Sequence, residues 1–180
     1  MSEFFPKDYE VPQKPGNYFK FIDGANKFRA LDNPIMGWVG WKENAEGINK
    51  PVRKTMDENF PMNEVDDESQ IKHFIAMPVW NYKEEKIQIL EITQKGIQRS
   101  LRALERSEGW GSPILYDITV TKTGQKLETK YTVMPEPPKP IDKGIVQLYK
   151  DMHIDLEALY RGDDPFKGEE VKPEDIPDNL

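Results

Sequence analysis

Hydrophobic and polar positions alternate with a period of two along much of the middle of the chain, the pattern of half-buried β-strands. Residues 18–22 and 25–31 flank Asp23-Gly24, a pair that supplies the positive φ of a tight hairpin turn, and residues 35–41 follow the Asn33-Pro34 break as a further short strand. Residues 72–82 put Phe74, Ala76, Pro78, Trp80 and Tyr82 on one parity and Ile75, Met77 and Val79 on the other. Pro78 has no N–H to give to a ladder, so this strand is expected at a sheet edge or at a bulge. A Lys83-Glu84-Glu85-Lys86 turn leads into residues 87–92, a second hairpin. Residues 114–121 and 127–134, joined across Thr123-Gly124-Gln125, make a third.

Helical spacing appears twice. Thr93 fits an N-cap, and Ile97, Leu101 and Leu104 follow at i, i+4 and i+7 before Gly109. Ile145, Leu148, Tyr149, Met152, Leu156 and Leu159 mark a second amphipathic helix that stops at Gly162. The expected organisation is an extended arm over residues 1–16, a β-rich domain over 17–134 with an acidic loop insertion at 42–71, a stiff Pro-rich linker over 135–141, a helix over 142–162, and a disordered acidic tail over 163–180.

One helix between the third and fourth principal strands of an otherwise all-β domain is the element order of the five-stranded OB barrel. The expected fold class is therefore mainly β: an OB-like barrel with that helix, a C-terminal helix and an acidic tail. An α+β sandwich with the helix on one face, or an unrelated small barrel, are the alternatives. In the barrel, Ile75, Met77 and Val79 face inward, which leaves Phe74, Trp80 and Tyr82 on the outer parity. Stacking on unpaired bases is one reason for three outward rings; packing beneath the C-terminal helix is the other.

Composition and charge narrow the partner. With no Cys and only two isolated His, disulfides and thiolate or His-based zinc sites drop out, and no cofactor is implied. No run approaches the ~20 apolar residues of a membrane span, so the expectation is a soluble, cytoplasmic protein with no membrane partner. The net charge of −7 argues against nucleic acid until it is partitioned: residues 1–41 carry 0, 42–71 carry −4, 72–134 carry +3 and 135–180 carry −6. Acid is concentrated in the insertion and the C-terminal segments.

The basic and aromatic residues interleave. Lys20, Lys27, Arg29, Trp38, Trp41, Lys42, Lys72, Phe74, Trp80 and Tyr82 form the candidate DNA-binding set, because cations follow phosphates while rings take bases. Lys95, Arg99, Arg102 and Arg106 make a cationic stripe on the first helix, which as a solvated face needs no ligand. No Gly-rich phosphate loop, metal-ligand spacing or nucleophile motif is present, so no catalytic residue is named. The tail is a candidate autoregulator or recruiter of replication proteins, since a tethered polyanion can occupy a cationic groove until DNA displaces it.

Residues 26–31 (Asn-Lys-Phe-Arg-Ala-Leu) with Pro34-Ile35-Met36-Gly37-Trp38, residues 74–93 around Val79-Trp80-Asn81-Tyr82, and residues 111–118 from Gly111-Ser112-Pro113 to Asp117-Ile118 resemble the replication single-stranded DNA-binding proteins of tailed bacteriophages. The resemblance spans roughly residues 17–134. It implies a non-catalytic OB-fold protein that coats single-stranded DNA during phage replication and recombination in the host cytoplasm. Glu174-Asp175-Ile176-Pro177 is similar to the end of bacterial single-stranded DNA-binding tails, but Asp178-Asn179-Leu180 follows where those end in an aromatic. Some phage relatives carry a zinc site, for which this chain lacks the ligands. An OB-type module that binds protein and no nucleic acid remains the alternative, with the aromatics as its anchors.

Overall fold

The computed structural model describes residue 4, residues 16–58, residue 60 and residues 64–166. The expected arm over 1–16 and most of the expected tail over 163–180 lie outside the described residues. Among these residues seven strands form one antiparallel sheet: β1 (Gly24–Ala30), β2 (Ile35–Glu43), β3 (Asn49–Thr55), β4 (Lys72–Asn81), β5 (Lys86–Ile92), β6 (Ile118–Thr123) and β7 (Lys130–Pro135). Helix α1 (Lys95–Arg106) lies between β5 and β6, and α2 (Lys143–Met152) and α3 (Ala158–Arg161) follow β7.

β4 organises the sheet. One of its edges pairs with β5 from Ile75↔Ile92 to Asn81↔Lys86, while the other is shared end to end by two strands. β2 takes the first half (Val39↔Lys72 to Ile35↔Ala76) and β1 the second (Ala30↔Val79 to Phe28↔Asn81). The Leu31-Asp32-Asn33-Pro34 excursion separates β1 from β2, and Pro78 sits opposite this seam, where no ladder N–H is demanded of it. The strand containing Pro78 is thus central; the break that accommodates the proline lies in its partner.

β1 also pairs with β6, and β6 with β7, which gives a path β5-β4-β1-β6-β7, while β3 extends the sheet from β2. Among the described residues no pairing joins β5 to β7. The closed five-stranded barrel is therefore replaced by an open sheet of seven strands. The free edge of β5 is used by residues 17–19, which run parallel to it: Phe19 N–H donates to Ile89 O, and Ile89 N–H donates to Asn17 O, both at 2.9 Å. The same segment carries Phe19 into the core and sets Phe21 against Tyr131 of β7, with ring centroids 5.6 Å apart. The expected hairpin of residues 18–22 on 25–31 does not form, because β1 has β4 and β6 on its two edges and the Asn26 side chain bonds Ile22 N–H and C=O instead.

The expected 42–71 loop contains β3, paired with β2 over seven positions from Gly37↔Thr55 to Glu43↔Asn49. Side chains split onto two cores. Phe28, Met77, Val79, Leu90, Ile92, Ile118 and Val120 fill one face, sealed by Ile97 and Leu101 of α1. Val39, Phe74, Ala76 and Ile89 fill the other, covered by Leu159 with Ile154, Leu156, Tyr160 and Phe166. The single helix expected over 142–162 is broken at His153, which adopts a left-handed conformation (φ 48°) and lets residues 154–166 fold back across the sheet. The Pro-rich segment is also held down: Glu136 N–H donates to Asp117 O at 2.9 Å and Lys139 N–H to Leu115 O at 3.1 Å. Among the described residues no helix is long and apolar enough to cross a membrane.

Candidate nucleic-acid interface

The ten candidate residues fall into two groups and one outlier. Lys27, Arg29, Trp80 and Tyr82 gather on β1 and the end of β4, with Arg29 directly opposite Trp80. Trp38, Trp41, Lys42, Lys72 and Phe74 gather on β2 and the start of β4. Lys20 stands apart, exposed on the segment before β1.

The first group is built around a residue outside the candidate set. Asp117, whose side chain is 0% exposed, accepts from Tyr82 Oη at 2.7 Å and from Arg29 Nη1 at 3.4 Å. Its other oxygen faces Lys139 Nζ at 3.0 Å and Lys27 Nζ at 3.7 Å. Arg29 further donates from Nε to Ile114 O and from Nη2 to Lys139 O, both at 2.8 Å, so its guanidinium is committed inside the protein. Lys27 also meets Glu136 at 3.3 Å and lies 4.7 Å over the Tyr82 ring.

Burial pushes the Asp117 carboxyl up, but the Tyr82 and Lys139 hydrogen bonds, the Lys139 charge and the Arg29 bond outweigh it and hold the group below the usual carboxylate range. Burial, and then the bond to Asp117, raise Tyr82 well above the ordinary phenol range. These contacts pin the 136–139 segment to the sheet. As a phosphate site the cluster is largely spent: Arg29 is 4% exposed, and Lys27 and Tyr82 already hold acids.

In the second group, Phe74 is fully buried, with Arg53 5.9 Å over one side of its ring and Tyr160 6.2 Å away. Its face is not available to a base. The outward parity was legible, but the layer that covers it comes from residues 154–166. Trp80 is half-buried between Arg29 and Ile87 in the ladder. Trp41 remains exposed, opposite Pro51 on β3, and Lys42 and Lys72 are exposed beside it.

Trp38 is half-buried on the other face of β2, its indole edge-on to His73 with centroids 5.4 Å apart. The β2–β3 hairpin thus carries an indole on each face. Some of its cations are neutralised within the fold: Arg53 bonds Glu91 at 2.7 Å, and Lys54 meets Glu64 at 2.8 Å. Lys50 is exposed opposite Lys42.

Beyond Trp38, a cavity of about 520 Å³ opens between the 31–34 excursion, α1 and the turn at residues 113–115. Asp117, His73 and this cavity were missed by sequence reasoning. Asp117 stood in a strand alternation with nothing local to show that its cations lie as far away in sequence as Arg29 and Lys27. Among the described residues no group of three or more His, Asp or Glu is placed to hold a metal ion. No family model, curated protein or solved structure matches this chain.

Proposed function

We propose that the protein binds and coats single-stranded DNA without strong sequence preference, as a non-catalytic OB-type protein of phage replication or recombination. The observation that carries this reading is the strand path β5-β4-β1-β6-β7 with α1 between β5 and β6, which is the OB order left open where β5 and β7 would meet. The β2–β3 hairpin projecting from that path offers Trp38, Trp41, Lys42 and Lys50 to rings and phosphates. Lys72 lies beside them and Lys20 adds a cation elsewhere on the surface. Arg29 and Phe74 leave the contact set because the fold consumes them.

The test is a titration of intrinsic Trp fluorescence with oligo-dT and with duplex. Quenching by the single strand and a much weaker response to duplex support the reading; no response to oligo-dT at about 50 mM salt rejects it. The second reading, an OB-type module that docks a protein, is favoured by one specific observation. Lys27, Arg29, Arg53 and Lys54 are all paired with acids of the same chain, in a protein of net charge −7.

A further inference from the structure

The cavity beside Trp38 has a floor of Ile75, Met77, Leu101 and Ile118, and Met36 stands at its side. Its volume lies within the range of about 300–1,000 Å³ typical of small-ligand sites. Two of its lining side chains are fixed by the fold with one polar atom left over. His73 Nδ1 is 2.8 Å from Gly37 O, so the neutral ring carries its proton there and leaves Nε2 as an acceptor. The Gln98 amide donates to His73 O at 3.0 Å and Ile92 O at 2.9 Å, which settles its orientation and leaves Oε1 as an acceptor. A purely apolar occupant would leave both acceptors unanswered, at a cost of about 1–3 kcal/mol for each one buried.

The charged side chains at the rim are Arg102, Glu105 and Asp32; Glu105 is held by Arg102, and Asp32 accepts from Tyr149 Oη at 2.9 Å. Arg102 lines the cavity and belongs to the stripe of Lys95, Arg99, Arg102 and Arg106, all exposed on α1. Its pairing with Glu105 at 2.7 Å is between side chains more than half exposed, the kind of ion pair that a phosphate can displace. On the sheet side, Met36 pairs with Ile75 and Trp38 with His73, so the indole stands one cross-strand pair along from the cavity on the same face. An apolar slot with two fixed acceptors, polarizable methionine sulfurs, an arginine at its rim that can exchange its acid partner for a phosphate and a neighbouring indole matches a nucleotide: a flat ring bearing an N–H donor, joined to an anion.

We propose that this cavity takes one unstacked nucleobase of the bound single strand, with its phosphate on Arg102 and the α1 stripe and the adjacent base on Trp38. This deepens the single-strand reading and rests on it. The experiment is methyl-methionine NMR of the full chain, in which Met36 and Met77 report the cavity and Met134, exposed on β7, reports a surface outside its lining. The protein is titrated with oligo-dT and with an abasic oligomer of the same backbone, while Trp fluorescence reports overall binding. Oligo-dT is expected to shift Met36 and Met77 and leave Met134 in place, and the abasic strand is expected to shift none of the three.

Ile75→Phe, which adds bulk at the cavity wall, is expected to weaken oligo-dT binding about tenfold, the loss of one stacked base. Three results overturn the proposal, and the wild-type titration decides among them even if Ile75→Phe fails to fold. If fluorescence reports binding while Met36 and Met77 stay still, the cavity assignment falls and the single-strand reading stands. If both oligomers shift the two methyls equally, the contact is with backbone and no base enters. If neither fluorescence nor methyls respond, the single-strand reading fails and takes the cavity with it.

Discussion

Asp117→Asn isolates the ion cluster from any role in binding. The substitution keeps the shape and an oxygen that can accept from Tyr82 Oη, but removes the charge that faces Arg29 at 3.4 Å and Lys139 at 3.0 Å. Arg29 is 4% exposed, so its guanidinium is left buried without a counter-ion, a change that costs about 3–5 kcal/mol. Lys27 and Lys139 are 36% and 51% exposed and can turn to water, so their share is small. With a urea dependence of about 2 kcal/mol per molar, the unfolding midpoint at neutral pH should drop by about 1.5–2.5 M with an unchanged slope.

The pH dependence has a fixed sign. Because the folded carboxyl titrates below its ordinary value, its contribution is present above about pH 4 and is lost as the pH falls through the lowered folded value. The gap between wild type and variant is therefore full at neutral pH and narrows in acid. A midpoint shift below about 0.3 M at neutral pH, or a gap that widens in acid, would refute the reasoning. Adding Arg29→Met to Asp117→Asn should recover part of the loss, because the stranded charge goes with it.

Phe74→Ala and Trp41→Ala should separate packing from recognition: the first costs about 3–5 kcal/mol in denaturant unfolding, while the second changes stability by less than about 0.5 kcal/mol and weakens oligo-dT binding. Gly37→Ala places a methyl group against the backbone carbonyl of Lys54, so amide exchange should speed up along β3 while β6 and β7 stay protected. Ending the chain after Phe166 removes five acids and two lysines, taking the net charge from −7 to −4, and should tighten DNA binding at low salt. Ending it after Gly162 also strips buried Pro165 and half-buried Phe166, whose ring lies 6.3 Å from Tyr18, so that form should unfold earlier as well.

What the sequence made legible was local. The parity of β4 identified Ile75, Met77 and Val79 as core, because alternation is a property of one strand. The position of α1 followed from Ile97 and Leu101 at helical spacing. What it hid depends on distant partners. β3 reads Asn-Lys-Pro-Val-Arg-Lys-Thr, with almost no apolar alternation; its pairing with β2 and the Arg53–Glu91 and Lys54–Glu64 ion pairs hold it in place. For Phe74 the sequence left base stacking and packing beneath the C-terminal segment both open; the second holds, with Leu159 and Tyr160 arriving after a turn at His153 that a run of helical spacing conceals. The same holds for the candidate site. Interleaved bases and rings were visible, yet which of them the fold spends on Asp117 was not, since that needs the three-dimensional meeting of β1, β4 and the 136–139 segment.

The measurement that bears most directly on the single-strand reading is the salt dependence of oligo-dT affinity. If Lys42, Lys50 and Lys72 each meet one phosphate, log K should fall against log salt with a slope of about −2, steepening to about −3 where Arg102 takes a fourth, and duplex should bind more weakly throughout. An affinity that does not change with salt, or equal affinity for duplex and single strand, would contradict the account.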